Sequence, residues 1–193
     1  MGILTVTPDS FSDGGLFIHP DKALERIAIM QNEGASIIDV GGESTRPGSD
    51  PVSVQEEIDR TLPVLEKAVP AFPGLLFSID TTKYEVAEAA LDAGVHIVND
   101  VSGLRKEPRF PVLCERYSAG LVIMHSLKDP KNMQEDPQYD DVISDIIAFF
   151  KKQLKFIEDK SNISVILDPG IGFGKTKGHN LQIISKLDRF LDL

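Results

Sequence analysis

Met1-Gly-Ile-Leu-Thr-Val-Thr-Pro-Asp-Ser-Phe-Ser-Asp-Gly-Gly15 opens the sequence, and its pattern predicts how the rest of the chain folds. The apolar run Ile3 to Val6 is typical of a buried strand, and Pro8 ends it because proline cannot donate to a sheet ladder. Hydroxyls, carboxylates and two glycines follow, which indicates a polar loop rather than a tight hairpin turn. A solvated surface loop is the plain alternative, and recurrence of the pattern argues against it.

The same unit, a strand that runs into a polar loop and then an amphipathic helix, recurs along the chain. Further strands are predicted over residues 36–40, 75–79, 96–98, 121–124 and 165–167. Helices are predicted between them, the first over 19–33 and the last over 181–190. Capping boxes at Ser53 with Glu56 and at Thr82 with Glu85 predict two helix starts. Strict alternation predicts a parallel sheet with all strand C-termini at one edge.

Polar residues follow all six strands, which favours a (β/α)8 TIM barrel, because barrel active sites draw on several strand ends. Six units fall short of eight, and a complete barrel usually takes at least about 200 residues. The sequence therefore predicts an α/β fold with one barrel domain over residues 1–193, incomplete and lacking the last two βα units. An open doubly wound sheet is the alternative, although a single switch-point crevice needs fewer polar strand ends.

Composition limits the classes of partner. The 193 residues carry a formal charge of −10 without clusters of Lys and Arg, which argues against nucleic acid and anionic membranes. No apolar run approaches the roughly 20 residues of a membrane span. Cys114 is the one cysteine, so no disulfide framework exists, and core packing is its expected role. With no leader-like opening segment, a cytoplasmic location is the simplest expectation.

The glycine-rich stretch after strand six does not complete a nucleotide motif. Gly174-Lys175-Thr176 resembles the end of a P-loop, but Pro169 stands where the first glycine is required. The dinucleotide pattern fails because Lys175 occupies the place of its third glycine. These glycines are better suited to bringing the backbone close to a flat ligand.

Three strand-end residues, Asp80, Asn99 and Asp168, form the candidate binding group. Two carboxylates that only accept and one amide that also donates match a heterocycle edge with amino, ring N–H and carbonyl groups. Helix caps are the alternative role for each. Arg46 in a glycine-rich loop suits a phosphate or carboxylate clamp, with a solvated arginine as the alternative. His125 is expected to shape a pocket rather than transfer a proton.

Six segments in order resemble the successive motifs of dihydropteroate synthase, and the first two are highly specific as a pair. They are Met1–Gly15, Gly41-Gly-Glu-Ser-Thr-Arg-Pro-Gly48, Ser78-Ile-Asp80, Asn99-Asp-Val-Ser-Gly103, Met124-His125 and Asp168-Pro-Gly-Ile-Gly-Phe-Gly-Lys175. The resemblance implies an enzyme of folate biosynthesis, a transferase that joins p-aminobenzoate to 6-hydroxymethyl-7,8-dihydropterin diphosphate and releases pyrophosphate. Family members are commonly dimers, which makes a homodimer a candidate state.

The resemblance also implies roles for individual residues. Asp80, Asn99 and Asp168 would hold the pterin edge, Met124 would line its pocket, and Thr45 would meet the diphosphate. The p-aminobenzoate pocket would be built with Asp13, Arg46 and Phe173, of which Asp13 and Arg46 are the catalytic candidates. The family favours carbon–oxygen cleavage to a pterin cation, assisted by Mg²⁺ on the leaving group.

Two departures from the family motifs qualify this reading. Thr5 stands where the family has the asparagine that ligates the diphosphate-bound Mg²⁺; its hydroxyl is a shorter ligand. The strand-seven Ser-Arg-Lys and strand-eight Arg-x-His motifs do not occur in the 193 residues. We therefore expect a truncated synthase that is inactive by itself. A noncatalytic pterin-binding module and a pterin-dependent methyltransferase are the alternatives.

Overall fold

Six parallel strands form one sheet in the computed structural model, which describes residues 1–7, 20–44, 51–127 and 137–193. The strands pair in chain order, so that each hydrogen bonds to the strands before and after it. Their bounds are β1 (Gly2–Thr5), β2 (Ile37–Gly41), β3 (Leu76–Asp80), β4 (Ile97–Asp100), β5 (Gly120–Met124) and β6 (Val165–Asp168). Within the described residues, β1 and β6 are the two edges of the sheet.

Helices connect the successive strands. Their bounds are α1 (Pro20–Asn32), α2 (Val54–Ala71), α3 (Tyr84–Asp92), α4 (Phe110–Tyr117), α5 (Val142–Glu158) and α6 (Lys177–Ser185), followed by a 3₁₀ turn at Leu187–Phe190. Neighbouring helices pack on each other, α1 on α2 and α2 on α3. No helix in the described part of the chain has the length and apolar content needed to cross a bilayer.

The two faces of the sheet differ sharply in composition. We call the helix-covered side the outer face and the opposite side the inner face. Most outer-face residues are apolar, and eight of them are fully buried in the core: Leu4, Ile38, Val40, Phe77, Ile79, Val98, Leu121 and Ile123. The strand residues between them point to the inner face, because side chains alternate along a strand. Polar groups are concentrated there, and Ile3, Leu76 and Ile166 on that face remain exposed.

This arrangement confirms the predicted fold class. A doubly wound sheet reverses its strand order at a switch point, whereas the six strands here follow one another without reversal. Sequential parallel strands with a helix after each unit are the pattern of a (β/α)8 barrel, of which six βα units are present. Strand C-termini lie along one edge, as the alternation predicted.

The helix starts show one correct and one wrong capping prediction. Ser53 caps α2, its hydroxyl accepting from the backbone N–H of Glu56 at 3.2 Å. The Thr82 box is wrong: α3 starts one residue later with Lys83 as its N-cap, and no side chain caps it. The hydroxyl of Thr81 accepts from the Lys83 N–H instead, at 3.2 Å.

The last helix also starts earlier than residue 181. Thr176 and His179 form a reciprocal capping box there, with His179 in the position that glutamate usually occupies. Strands extend further than predicted as well, so that Asp80, Asn99 and Asp168 are strand residues held in the ladder.

Candidate active site

The sheet register brings most of the predicted site residues to one face. Thr5 pairs with Gly41, Gly41 with Asp80, and Asp80 with Asn99, so these four form one row across β1 to β4. Neighbouring strands are about 4.8 Å apart, which makes the Asp80 and Asn99 side chains immediate neighbours. On β5 and β6, Met124 pairs with Asp168.

Asp80 is the electrostatic centre of this row. Its carboxylate makes no hydrogen bond within the described residues, so both oxygens are available as acceptors. Burial raises the pKa of Asp80 well above its usual range. Nearby carboxylates raise it further: Asp39, Glu57, Asp100 and Glu43. A ligand that donates N–H groups to Asp80 would compensate this repulsion and favour the ionised form.

Asn99 is oriented by Asp39, an inner-face residue of β2. Its Nδ2 donates to Oδ2 of Asp39 at 3.0 Å, and because a carboxylate only accepts, this bond fixes which end of the amide faces which way. Asp39 is 5% exposed. Burial raises its pKa, while Ser78 and Asn99 oppose the shift. Asn99 Oδ1 is buried without a partner in the described chain.

Asp168 has a double role at the end of β6. Its Oδ1 accepts from the backbone N–H of Gly170 at 2.8 Å; this bond lies in the loop, and the next helix is capped by Thr176 instead. The residue is only half-buried, which leaves its second oxygen for a ligand. Met124, its register partner, is 2% exposed and supplies an apolar wall beside it.

Asp100 shows what a purely structural carboxylate looks like at the same edge. It follows Asn99 directly and therefore points to the outer side, where it is fully buried. Its two oxygens accept from the backbone N–H groups of Ser102 at 2.8 Å and Leu104 at 2.6 Å. Its bonding is complete, whereas Asp80 has no such partners.

The loop after β6 places Phe173 near the strand ends. Its N–H donates to the carbonyl of Gly170 at 3.1 Å, closing a tight turn. The ammonium of Lys175 donates to the carbonyl of Phe173 at 3.0 Å. Phe173 is half-buried.

Three predicted residues, Asp13, Thr45 and Arg46, lie outside the described residues. The base of the loop that carries Thr45 and Arg46 is described and is firmly held. Arg60 donates to the carbonyl of Gly42 at 2.7 Å, and the ammonium of Lys83 pairs with Glu43 and Glu57. These contacts join the β2 loop to α2 and to the N-terminus of α3.

His125 and Cys114 have the structural roles expected for them. The His125 ring packs edge-on against Phe149 at 5.0 Å between centroids. Burial and the nearby charge of Lys175 lower the pKa of His125 to about 3, so it is neutral and unsuited to proton transfer. Cys114 is fully buried, and burial raises the pKa of its thiol to about 12.

Sequence reasoning missed two residues that the structure places at the site. Asp39 lies inside the apolar run of β2; a lone carboxylate there requires a polar partner, and this was the available signal. Lys175 was named in the sixth family motif and in two failed nucleotide motifs but given no role, yet it is 4% exposed and holds the β6 loop. Together the inner-face groups form an acceptor-rich surface beside an apolar wall, suited to a flat heterocycle that carries several N–H donors.

Comparison with known proteins agrees with this geometry. The family model described as "Pterin binding enzyme" matches residues 1–193. The dihydropteroate synthase of Escherichia coli is 43% identical over 192 residues, which cover 98% of this chain and 67% of that protein. A probable bifunctional folylpolyglutamate synthase/dihydropteroate synthase of Haloferax volcanii is 45% identical over 196 residues, which are 23% of its length.

Solved structures give the same result. The Yersinia pestis dihydropteroate synthase in a sulfonamide complex superposes with a TM-score of 0.89 at 42% identity, covering 98% of this chain and 69% of that one. The Xanthomonas albilineans enzyme with 4-aminobenzoic acid gives 0.88 at 39% identity, covering 100% and 68%. The chain thus spans about two thirds of these synthases. The expected resemblance to dihydropteroate synthases is confirmed, and the chain belongs to the pterin-binding enzyme family.

Proposed function

We propose that the chain carries the pterin-binding part of a dihydropteroate synthase, a transferase of folate biosynthesis, and that turnover also needs the strand-seven and strand-eight motifs. The complete enzyme would condense p-aminobenzoate with 6-hydroxymethyl-7,8-dihydropterin diphosphate to give 7,8-dihydropteroate and pyrophosphate. Relatives named for this reaction match the full chain, and related structures carry 4-aminobenzoic acid or pteroate.

The observation that supports the proposal most is the inner-face row of Asp80 and Asn99, with Asp168 on the same face two strands away. A pterin edge presents an amino group, a ring N–H and a carbonyl side by side. The two carboxylates would accept from the amino group and the ring N–H, and the Asn99 amide, whose Nδ2 donates to Asp39, adds a further acceptor in Oδ1. A site built to pair these polar groups would reject heterocycles that lack them, because its own buried groups would then stay unpaired.

The chemistry asks for charge stabilisation more than for a strong base. The C–O bond to the diphosphate breaks with its electron pair on the leaving group, and the amine nitrogen of p-aminobenzoate forms the new C–N bond before losing its proton to water. Positive charge develops on the pterin in this step. In this proposal the carboxylates of Asp80 and Asp168 would stabilise that charge without reorganisation.

A separate proposal is that the site binds Mg²⁺ with Thr5 as its protein ligand. The described residues contain no group of three or more His, Cys, Asp or Glu side chains arranged to hold a metal ion. This fits Mg²⁺, which binds through one or two protein oxygens plus substrate phosphates. Thr5 ends β1, half-buried in the row of Asp80, and its hydroxyl would be the protein ligand. When bound, the ion would neutralise the leaving diphosphate.

The proposal also covers the loop residues, the cellular location and the oligomeric state. Asp13, Thr45, Arg46 and Phe173 would meet p-aminobenzoate and the diphosphate from the loops. A cytoplasmic location and a homodimer stay predictions that gel filtration and cell fractionation would test. A noncatalytic pterin-binding module is the second candidate, since the chain spans about two thirds of its relatives and carries Thr5 in place of the family asparagine.

Calorimetric titration of the purified chain separates the two candidates. Wild-type protein is titrated with 6-hydroxymethyl-7,8-dihydropterin and then with its diphosphate, with and without Mg²⁺. A synthase site gains affinity for the diphosphate when Mg²⁺ is present, whereas a module binds the pterin without that gain. Product formation is assayed in parallel with p-aminobenzoate added.

The variant Asp168→Asn tests the pterin assignment in the same assay. We expect at least a tenfold loss of pterin affinity with the fold intact by circular dichroism, because one charge-assisted acceptor is replaced by a neutral one. Unchanged affinity in a folded variant would remove Asp168 from the site.

A further inference from the structure

Lys175 has an unusual environment for a lysine. Its side chain is 4% exposed, and its three N–H groups donate to three backbone carbonyls: His125 at 3.1 Å, Gly170 at 2.9 Å and Phe173 at 3.0 Å. Lysines are almost never fully buried unless they are paired with an opposite charge. Here carbonyl dipoles take that place, and all donors of the ammonium are used.

These three carbonyls belong to two different strand ends. His125 directly follows β5 and Met124, while Gly170 and Phe173 lie in the loop after β6. Lys175 therefore joins the β5 end to the loop on which Phe173 stands. Gly170 shows how closely these parts approach, because a Cβ at this glycine would lie 2.0 Å from the carbonyl oxygen of His125.

Three ionisable groups interact electrostatically with Lys175: Asp168, Arg105 and His125. Asp168, at the end of β6, attracts its charge, while Arg105 repels it, and Lys175 in turn lowers the pKa of His125. Burial is the largest effect and lowers the pKa of Lys175 to about 8. A lysine with such a value loses its charge within a pH range in which exposed lysines keep theirs.

We propose that Lys175 is a positioning residue for the synthase site, whose ammonium locks the loop of Asp168 and Phe173 onto the end of β5. The inference rests on the proposed function in so far as that loop binds substrate. Loss of the Lys175 proton removes one of three donors and leaves one buried carbonyl unpaired. The loop is then held less firmly, and substrate affinity falls as the pH rises.

The first test does not depend on ligand binding. Amide hydrogen exchange is compared for the wild-type chain and Lys175→Met, with Lys177→Met as the matched control, because Lys177 is two residues away and exposed. We expect exchange at Gly170 and Phe173, whose N–H groups are bonded within the loop, to accelerate at least tenfold in Lys175→Met alone. Unchanged exchange in a folded Lys175→Met variant would overturn the proposal.

The second test uses pH and pterin affinity. Affinity for 6-hydroxymethyl-7,8-dihydropterin is measured from pH 6.5 to 9.5 for the wild type and for Lys175→Arg, which keeps its charge throughout. We expect the wild-type affinity to fall about tenfold with an inflection near the pKa of Lys175, read from its ¹³Cε chemical shift. The arginine variant should lack that inflection, and it controls for ionisation of the ligand itself.

The outcomes separate the two levels of inference. If both proteins show the same pH profile, the positioning role is wrong. If the wild type binds no pterin at any pH while exchange still accelerates in Lys175→Met, the proposed function fails and the locking contact stands. If Lys175→Met does not fold, the comparison of the wild type with Lys175→Arg decides.

Discussion

Alternate residues of β3 show how differently the two faces of the sheet are built. Phe77 and Ile79 point to the outer face, are completely buried and belong to the hydrophobic core cluster. Ser78 and Asp80 point to the inner face, where Ser78 lies opposite Asp39 and the Asp80 carboxylate is repelled by nearby carboxylates. The five residues of β3 thus include apolar side chains that stabilise the fold and a carboxylate that destabilises it.

The difference teaches where function is located in this fold. Apolar burial on the outer face is favourable in any such protein. Repelling carboxylates and unpaired polar atoms on the inner face destabilise the free protein. Functional sites commonly keep such groups because the bound ligand supplies the missing hydrogen bonds. Emptying a core position on the outer face should therefore destabilise the chain, whereas removing the charge of Asp80 on the inner face should stabilise it.

The largest effect is expected on the outer face. Phe77→Ala should lower the free energy of unfolding by about 3–5 kcal/mol, because it empties a filled core position. Leu76→Ala is the matched control from the inner face, where the side chain is 45% exposed, and it should cost less than about 1 kcal/mol. Urea unfolding of both variants tests this, and equal losses would contradict the distinction between the faces.

A glycine at the site edge should give the next largest effect. Gly170 has φ +69°, and an added Cβ would overlap the carbonyl of His125. Gly170→Ala should therefore cost about 2–4 kcal/mol, from backbone strain plus the overlap. Gly172→Ala shares the positive φ of +86° but has open space, so it should cost only about 1–2 kcal/mol. Thermal unfolding measures the difference, and its absence would show that the loop does not pack closely on β5.

On the inner face, Asp80→Asn should stabilise the chain at neutral pH, by about 0.5–2 kcal/mol. Because the folded chain raises the pKa of Asp80 above its ordinary value of 3.8, the stability from this group is complete below that value and is lost as the pH rises through the folded pKa. The variant's advantage should therefore disappear in acid. Unfolding curves at pH 3.5 and pH 7.5 test the sign, which would be reversed if Asp80 were stabilised as an ion.

The smallest predicted effect concerns the residue that orients Asn99. Asp39→Ala removes the acceptor for the Asn99 amide and should weaken pterin affinity about tenfold, close to the 1.4 kcal/mol expected for one charge-assisted hydrogen bond. Asp59→Ala, an exposed carboxylate on α2, is the control for net charge. Equal affinities for the two variants would show that the orientation of the amide does not matter.

The sequence was sufficient for the fold and for the strand-end residues. Alternating apolar and polar segments determine a parallel sheet, and Asp80, Asn99 and Asp168 follow directly because each ends an apolar run. Their strand ends were placed one or two residues early, since the ladder extends into polar residues that pattern alone assigns to loops. Ladder hydrogen bonds use the backbone, on which side-chain polarity has little influence.

Asp39 and Lys175 show why the rest of the site was harder to predict. Their importance depends on partners 60 and 50 residues away, the Asn99 amide and the His125 carbonyl, and no local pattern reports such contacts. The cap formed by Thr176 and His179 was missed for a different reason, because histidine rarely replaces glutamate in that motif.

The central claim is that the inner-face carboxylates are kept for pterin recognition at a cost in stability. Calorimetric titration of wild type and Asp80→Asn with 6-hydroxymethyl-7,8-dihydropterin at pH 7.5 tests it most directly. The account predicts that the more stable variant binds at least tenfold more weakly than the wild type. A folded Asp80→Asn variant that binds the pterin as tightly as the wild type would contradict it.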